Sequence, residues 1–289
     1  MSDPGASEHG ASIAEQAAEL GLHRVGAREN FFRYLVITWQ RRDFIWHMAQ
    51  FRMSASFSSN RLGMAWLVLQ PIFDALVYGL IFGLLQGNNR PPDYPARVVV
   101  GVFLFSFFRG SLTKGAKSVI SKRSLVQSLA FPRITLPFAV VLQELLSALP
   151  AWGLLFVIMP IMGHFPNLRW LEIFPVFLLS VLFNTGVALI AARATVHLED
   201  MSELLPLISR ILFFTSGVLF DVSAIFDKWP QVVIAFDFHP IYQMVQLARH
   251  ALMGIAVDPA YWIYFSAFSV LVFVAGLWFF WSAEERYGR

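Results

Sequence analysis

The sequence predicts an all-α membrane protein with six transmembrane helices. Three observations carry this. Six long apolar stretches fill close to half of the 289 residues. The chain is 57% apolar and only 14% charged, against about 25% charged residues in a soluble domain, and its mean hydropathy is +0.59. Its basic residues gather on alternate connections between the stretches.

Residues 1–29 are polar and rich in Ala, Glu and Gly, with no apolar core behind a basic start, so they are not read as a signal peptide. They read as a disordered cytoplasmic tail, and residues 30–289 as a single transmembrane domain. Over 30–52, Phe31, Leu35, Phe44, Met48 and Phe51 alternate with Arg33, Gln40, His47 and Gln50 at near-helical spacing. That mixture predicts a helix lying along the cytoplasmic interface.

A crossing helix needs roughly 20 mostly apolar residues. Spans are expected at about 62–85, 98–113, 134–162, 171–192, 204–220 and 260–282, the second and fifth being short. An even number puts both termini on one side. Of the 22 Lys and Arg, sixteen fall on the side of the membrane that holds the termini and five on the opposite connections. The positive-inside rule therefore makes both termini cytoplasmic in a multi-pass membrane protein.

Asp74 in the first span and Glu144 in the third are ionisable residues at membrane depth, where a charge costs about 2.5–3.5 kcal/mol on insertion scales. They predict either a polar path or proton relay, or interhelical pairs, for instance with Arg109. Gly79 and Gly83, four apart in the first span, permit close helix packing. Between spans five and six, 222–236 and 241–253 are partly apolar and are interrupted by Asp237, Phe238, His239 and Pro240. Pro240 suits a helix start. These segments, about 222–253, are expected to be outer re-entrant gate helices, tolerated at membrane depth where they are buried in protein.

Most chemistries are excluded. The connections leave no room for a folded catalytic domain of the usual 50 or more residues, so the chain is not expected to be an enzyme. Gly110–Ser118 resembles a phosphate loop, but Ala116 displaces the lysine from the G-x-x-x-x-G-K-[ST] spacing. The seven His lack metal-ligand spacing and Cys is absent, so no metal site is expected. The net charge of +3 follows from membrane orientation, and nucleic acid is not an expected partner.

Three stretches resemble the permease subunit of type-2 ABC exporters for lipid-linked polysaccharides, the group that moves O-antigen, capsule, teichoic-acid and galactan chains. They are Arg61-Leu62-Gly63-Met64-Ala65-Trp66 running to Pro71, Ser124–Arg133 ending in Phe131-Pro132-Arg133, and His239-Pro240 followed by Arg249 and Gly254. His239 stands where the family usually has Asn, and Met53–Asn60 is a Ser-rich lead-in where the family's is basic. The look is closest to actinobacterial exporters of galactan precursors.

The resemblance implies two copies of this chain, each docked on a separate ATP-hydrolysing subunit that holds ATP and Mg, with no cofactor in this chain. It implies coupling to the ATPase through Lys122, Arg123, Phe131, Pro132 and Arg133. Arg52 and Arg61, beside the cytoplasmic entrance, are expected to meet the lipid pyrophosphate, since guanidinium pairs bidentately with phosphate. Trp66, Phe73, Phe213 and Phe214 are expected to line the pathway of the glycan, with membrane lipids around the dimer. Trp229, His239, Pro240, Arg249 and Gly254 belong to the outer gate. The competing readings are a type-2 ABC permease for a drug or small lipid, and a proton-coupled carrier using Asp74 and Glu144. A membrane-embedded glycosyltransferase is disfavoured, because no D-x-D pair occurs.

Overall fold

The computed structural model describes residues 30–57, 62–87, 91, 93–123 and 131–284. The tail at 1–29, Arg61, and the 124–130 part of the coupling stretch lie outside the described residues. Among the described residues every regular element is helical: α1 (Phe31–Gln40), α2 (Arg42–Phe57), α3 (Trp66–Gln86), α4 (Tyr94–Ala116), α5 (Thr135–Ile161), α6 (Ile173–His197), α7 (Met201–Thr215), α8 (Val222–Ile225), α9 (Pro230–Asp237), α10 (Pro240–Met253) and α11 (Ala260–Trp281), with short 3-10 turns at Gly63–Ala65, Ile120–Lys122 and Leu168–Glu172.

Among the described residues, five helices are long and apolar enough to cross a membrane: those within Gly63–Gln86, Tyr94–Ala116, Thr135–Ile161, Leu168–His197 and Ala260–Trp281. They are unequal in environment. In α4, 72% of the apolar window is buried, whereas in α3 only 17% is. α4 is therefore the central post, with α3, α5, α6, α7 and α10 packed around it. α3 turns Leu76, Leu80, Leu84 and Leu85 outward.

Polar contacts sort the connections into two ends. At one end Tyr34 Oη donates to Glu284 (2.7 Å), Lys117 pairs with Glu203 at 3.1 Å, and Arg123 pairs with Glu199. At the other, Arg97 pairs with Asp221 at 3.0 Å, His250 faces Glu172 at 3.5 Å, and Tyr94 Oη donates to the Leu219 carbonyl at 2.9 Å. Between Glu203 and Leu219 the chain thus passes from one end of the bundle to the other.

α7 alone has only 15 residues, about 22 Å at 1.5 Å per residue, short of the roughly 30 Å hydrocarbon core. The rest of the passage is irregular backbone at 216–221. Its carbonyls are taken up by side chains. Arg249 donates to Gly217 O (3.0 Å) and Val218 O (2.7 Å), while Gln86 joins Tyr94 on Leu219 O at 3.0 Å. Irregular backbone survives at such depth when its polar groups are satisfied inside the protein. The fifth expected stretch is therefore a helix of 201–215 completed by a clamped coil, and it is not one of the five long helices.

Two other expectations shift. The single interfacial helix over 30–52 is two helices that meet at Arg41, and the second continues to Phe57 and packs along α5. α1 buries Tyr34 and Thr38 and exposes Phe32, Val36 and Trp39 on its opposite side. An outward aromatic stripe suits the membrane interface. The segment between α7 and α11 is three helices rather than two, and they differ in kind: Ile241–Arg249 of α10 is wholly buried, whereas Ile225 of α8, Trp229 ahead of α9 and Ile234 of α9 are exposed.

The α6–α11 packing rests on two glycines. A side-chain carbon at Gly186 would collide with the Val272 carbonyl, and one at Gly276 would lie 2.6 Å from Gly186 O. The two helices touch backbone to backbone, the arrangement that small residues allow in membrane helix pairs.

Candidate functional site

A cavity of about 540 Å³ opens among α3, α4, α5 and α7. It is built in two tiers. Near the end that carries Glu203 and Lys117 its wall is polar, with Gln70, Asp74, Arg109, Lys114, Gln143 and Glu144. Deeper, its wall turns aromatic, with Tyr78, Phe105 and Phe213. Tyr78 and Phe213 have ring centroids 4.8 Å apart, Phe105 and Phe213 5.0 Å, and Phe213 and Phe214 5.6 Å.

The polar tier is organised by α4, which supplies the cations. Arg109 Nη2 lies 3.1 Å from Asp74 Oδ2 of α3. Lys114 Nζ lies 2.7 Å from Glu144 Oε1 of α5. Each intramembrane acid thus meets a cation on the neighbouring helix, the arrangement expected when a charge must be neutralised in a medium of low polarity. The Glu144 side chain is 8% exposed and Lys114 56%, so the carboxylate is fixed and the ammonium faces the cavity. Glu144 reaches this seat because residue 110 is glycine: a side-chain carbon there would collide with Glu144 Oε2.

Arg52, from α2, reaches the cavity rim, where its Nε donates to Gln143 Oε1 at 3.1 Å. Burial lowers the Arg52 guanidinium from its usual value and the charge of Glu144 partly restores it. Of the four aromatic residues expected along the path, Trp66 and Phe213 line the cavity. Phe73 is outward-facing and 52% exposed, and Phe214 touches Tyr78 and Phe82 beside the cavity rather than lining it. Lys114, Gln70, Gln143 and Arg210 were not singled out from sequence. Lys114 and Arg210 read there only as positive-inside residues, and the pairing that gives Lys114 a second role spans 30 positions.

The expected coupling residues separate into two groups. Lys122 and Arg123 are exposed. Arg133 is buried; its backbone N–H donates to Glu284 Oε1 at 2.9 Å and its Nη1 to Glu284 O. Its role in the fold is to tie the start of α5 to the end of α11, behind the surface. Phe131 is half-buried against Phe44 of α2, with centroids 5.7 Å apart. Glu284 itself is raised above the usual carboxylate range by burial, against the opposing bonds from Arg133 and Tyr34.

At the far end, His239 is the N-cap of α10 and its Nδ1 accepts the Tyr242 N–H at 3.2 Å. Burial lowers the His239 pKa, which favours the unprotonated nitrogen that this bond requires. Pro240 occupies the first helical turn, and Gly254 ends the helix at φ 73°, a conformation glycine adopts at no steric cost. Arg249, 1% exposed, donates to Gly217 O, Val218 O and also Arg97 O (3.1 Å). Trp229 is exposed at the tip, ahead of α9. Asp221 accepts from the Ser223 hydroxyl at 2.7 Å and pairs with Arg97 at 3.0 Å.

The sequence model of the ABC-2 type transporter family matches residues 44–253. Curated relatives include an O-antigen export system permease protein RfbA of Klebsiella pneumoniae, 24% identical over 240 residues that cover 82% of this chain and 90% of the relative. An O-antigen export system permease protein RfbA of Myxococcus xanthus is 27% identical over 191 residues, 66% of this chain and 73% of the relative. The polysialic acid transport protein KpsM of Escherichia coli is 23% identical over 232 residues, 79% and 89% of the respective chains.

Proposed function

The chain belongs to the ABC-2 type transporter family, and from that premise we propose that it is the membrane-spanning subunit of an ATP-driven exporter that moves a lipid-linked polysaccharide out across the bacterial plasma membrane. The observation that carries this reading is the two-tier cavity. A cationic polar tier suits a phosphate-bearing lipid head, and the aromatic tier above it suits sugar rings, which stack on flat amphipathic faces. The names of the relatives, O-antigen export and polysialic acid transport, support the same cargo class. A proton-coupled carrier is less well supported, because both acids it would use face a cation at 3.1 Å or less.

In this reading the end with Lys122, Arg123 and Glu284 is cytoplasmic, and a second copy of the chain completes the path against the exposed flank of α3. Two ATP-hydrolysing subunits, with ATP and Mg, dock from the cytoplasm on the exposed Lys122 and Arg123. Phe131, Pro132 and Arg133 back that surface from within, so a push on the loop is passed to α2, α5 and α11. Arg52 meets the incoming head at the rim. On the outer side α10 is the fixed support of the gate, and the exposed α8 and α9 with Trp229 are its moving part.

Lys122→Glu with Arg123→Glu is expected to lower both export of the lipid-linked glycan and coupled ATP turnover about tenfold, equivalent to roughly 1.4 kcal/mol across the contact. Because Arg123 also pairs with Glu199, the same chain carrying Glu199→Lys restores the internal pair. Coupling that stays low in the triple variant supports docking at these residues, and full recovery would mean that only the internal pair mattered.

A further inference from the structure

The two cavity cations that are held by carboxylates, Arg109 and Lys114, stand on one helix, α4, and the carboxylates come from helices on either side. Arg109 has five N–H donors and Lys114 three, and each is shown with one carboxylate partner. The cavity wall carries three cations, Arg109, Lys114 and Arg210, against two carboxylates, Asp74 and Glu144. Hydroxyl and amide groups of Ser106, Thr113, Ser147 and Gln70 complete the wall. Guanidinium and ammonium groups with donors to spare, in a partly buried polar pocket, are what a phosphoryl group needs. A carboxylate already set against each of them is, like the ligand it would meet, an anionic oxygen acceptor, and so occupies donors that the ligand would use.

We propose that Arg109 and Lys114 form a phosphate-binding site within the cavity, and that Asp74 and Glu144 are its internal competitors, weakening its hold on a transported anion so that the anion can leave. This rests on the export reading above and adds how the site is tuned. Without the two acids the tier would be a strongly cationic trap. With them, the cations are neutralised when no cargo is present, which lowers the cost of keeping them at membrane depth. An arriving phosphate then replaces an existing partner and gains only the difference. Gly110 belongs to the device, because it makes the room that sets Glu144 against Lys114.

The test uses the full chain in phosphatidylcholine nanodiscs, titrated with inorganic pyrophosphate by calorimetry, and in parallel nanodiscs that contain phosphatidic acid. Glu144→Gln and Asp74→Asn, which keep shape and remove charge, are each expected to tighten anion binding about fivefold, the scale of one partly exposed ion pair. Gly110→Ala keeps every charge but pushes Glu144 away, and is expected to tighten binding in the same direction. Arg109→Gln and Lys114→Gln should weaken it.

Tightening with pyrophosphate in plain phosphatidylcholine assigns the site to phosphate itself, and tightening only with phosphatidic acid assigns it to a lipid head; either supports the competitor role. Unchanged or weaker binding in Glu144→Gln and Asp74→Asn, in samples that stay monodisperse, would overturn it. Glycan export by the unaltered complex is scored separately. Tightening without any such export would leave the site standing and remove the cargo reading, whereas export with unaltered affinities would remove this inference alone.

Discussion

Gly186→Ala is expected to prevent the bundle from closing. The added carbon would overlap the Val272 carbonyl and lie 2.6 Å from Phe273 N on α11. These are backbone atoms in the middle of a helix, and they cannot rotate away as a side chain could. Relief requires the axes of α6 and α11 to separate, which opens the contact along which Leu189 and Phe280 are buried in one cluster. Overpacking of this kind costs about 1–3 kcal/mol, occasionally more, and here it also removes the close approach on which membrane helices rely in place of a hydrophobic drive. The measurement is the fraction recovered as a monodisperse peak after mild detergent extraction, together with its thermal midpoint. Gly153→Ala is the internal control, because a carbon there meets nothing within 4 Å, and it should behave as the unaltered chain does.

Arg249→Ala is the second large effect. The guanidinium is fully enclosed and bonds the main-chain oxygens of Arg97, Gly217 and Val218. Its loss strands carbonyls of the coil that finishes the α7 passage, and each unsatisfied buried acceptor costs about 1–3 kcal/mol. The expected outcome is a loss of several kcal/mol, on the order of 3–5, with proteolysis appearing first around 216–221. Arg249→Lys retains the charge but not the fork, so it should recover only part of the loss. Wild-type thermal stability in Arg249→Ala would mean that the coil is held by Tyr94 and Gln86 alone.

The helical class and the long spans could be read from the sequence because each depends on runs of apolar residues. The first, third, fourth and sixth expected spans agree with helices to within a few residues. The second was read as 98–113 but runs Tyr94–Ala116. Arg97 and Lys114 shortened it on paper, and both are neutralised in space, by Asp221 and Glu144. The fifth was lengthened on paper, because Gly217–Phe220 is apolar yet forms a coil, and nothing local announces that Arg249, 31 positions later, satisfies it.

Legibility of the site follows the same division. Asp74 and Glu144 stood out because acids are rare in apolar runs. Their partners did not, since a lysine or arginine near the end of a span already has an explanation in topology. Arg133 shows the converse. Its basic, loop-end position suggested a surface contact, but Glu284, 151 positions away, draws it inward.

Reconstitution tests the central claim most directly. Proteoliposomes would contain this chain with or without its partner ATPase, together with a lipid-linked polysaccharide presented on the cytoplasmic face. Glycan should appear on the far side only when the partner and ATP are both present, and the chain alone should neither hydrolyse ATP nor move glycan. Sustained uphill movement by the chain alone, driven by a proton gradient, would contradict the account.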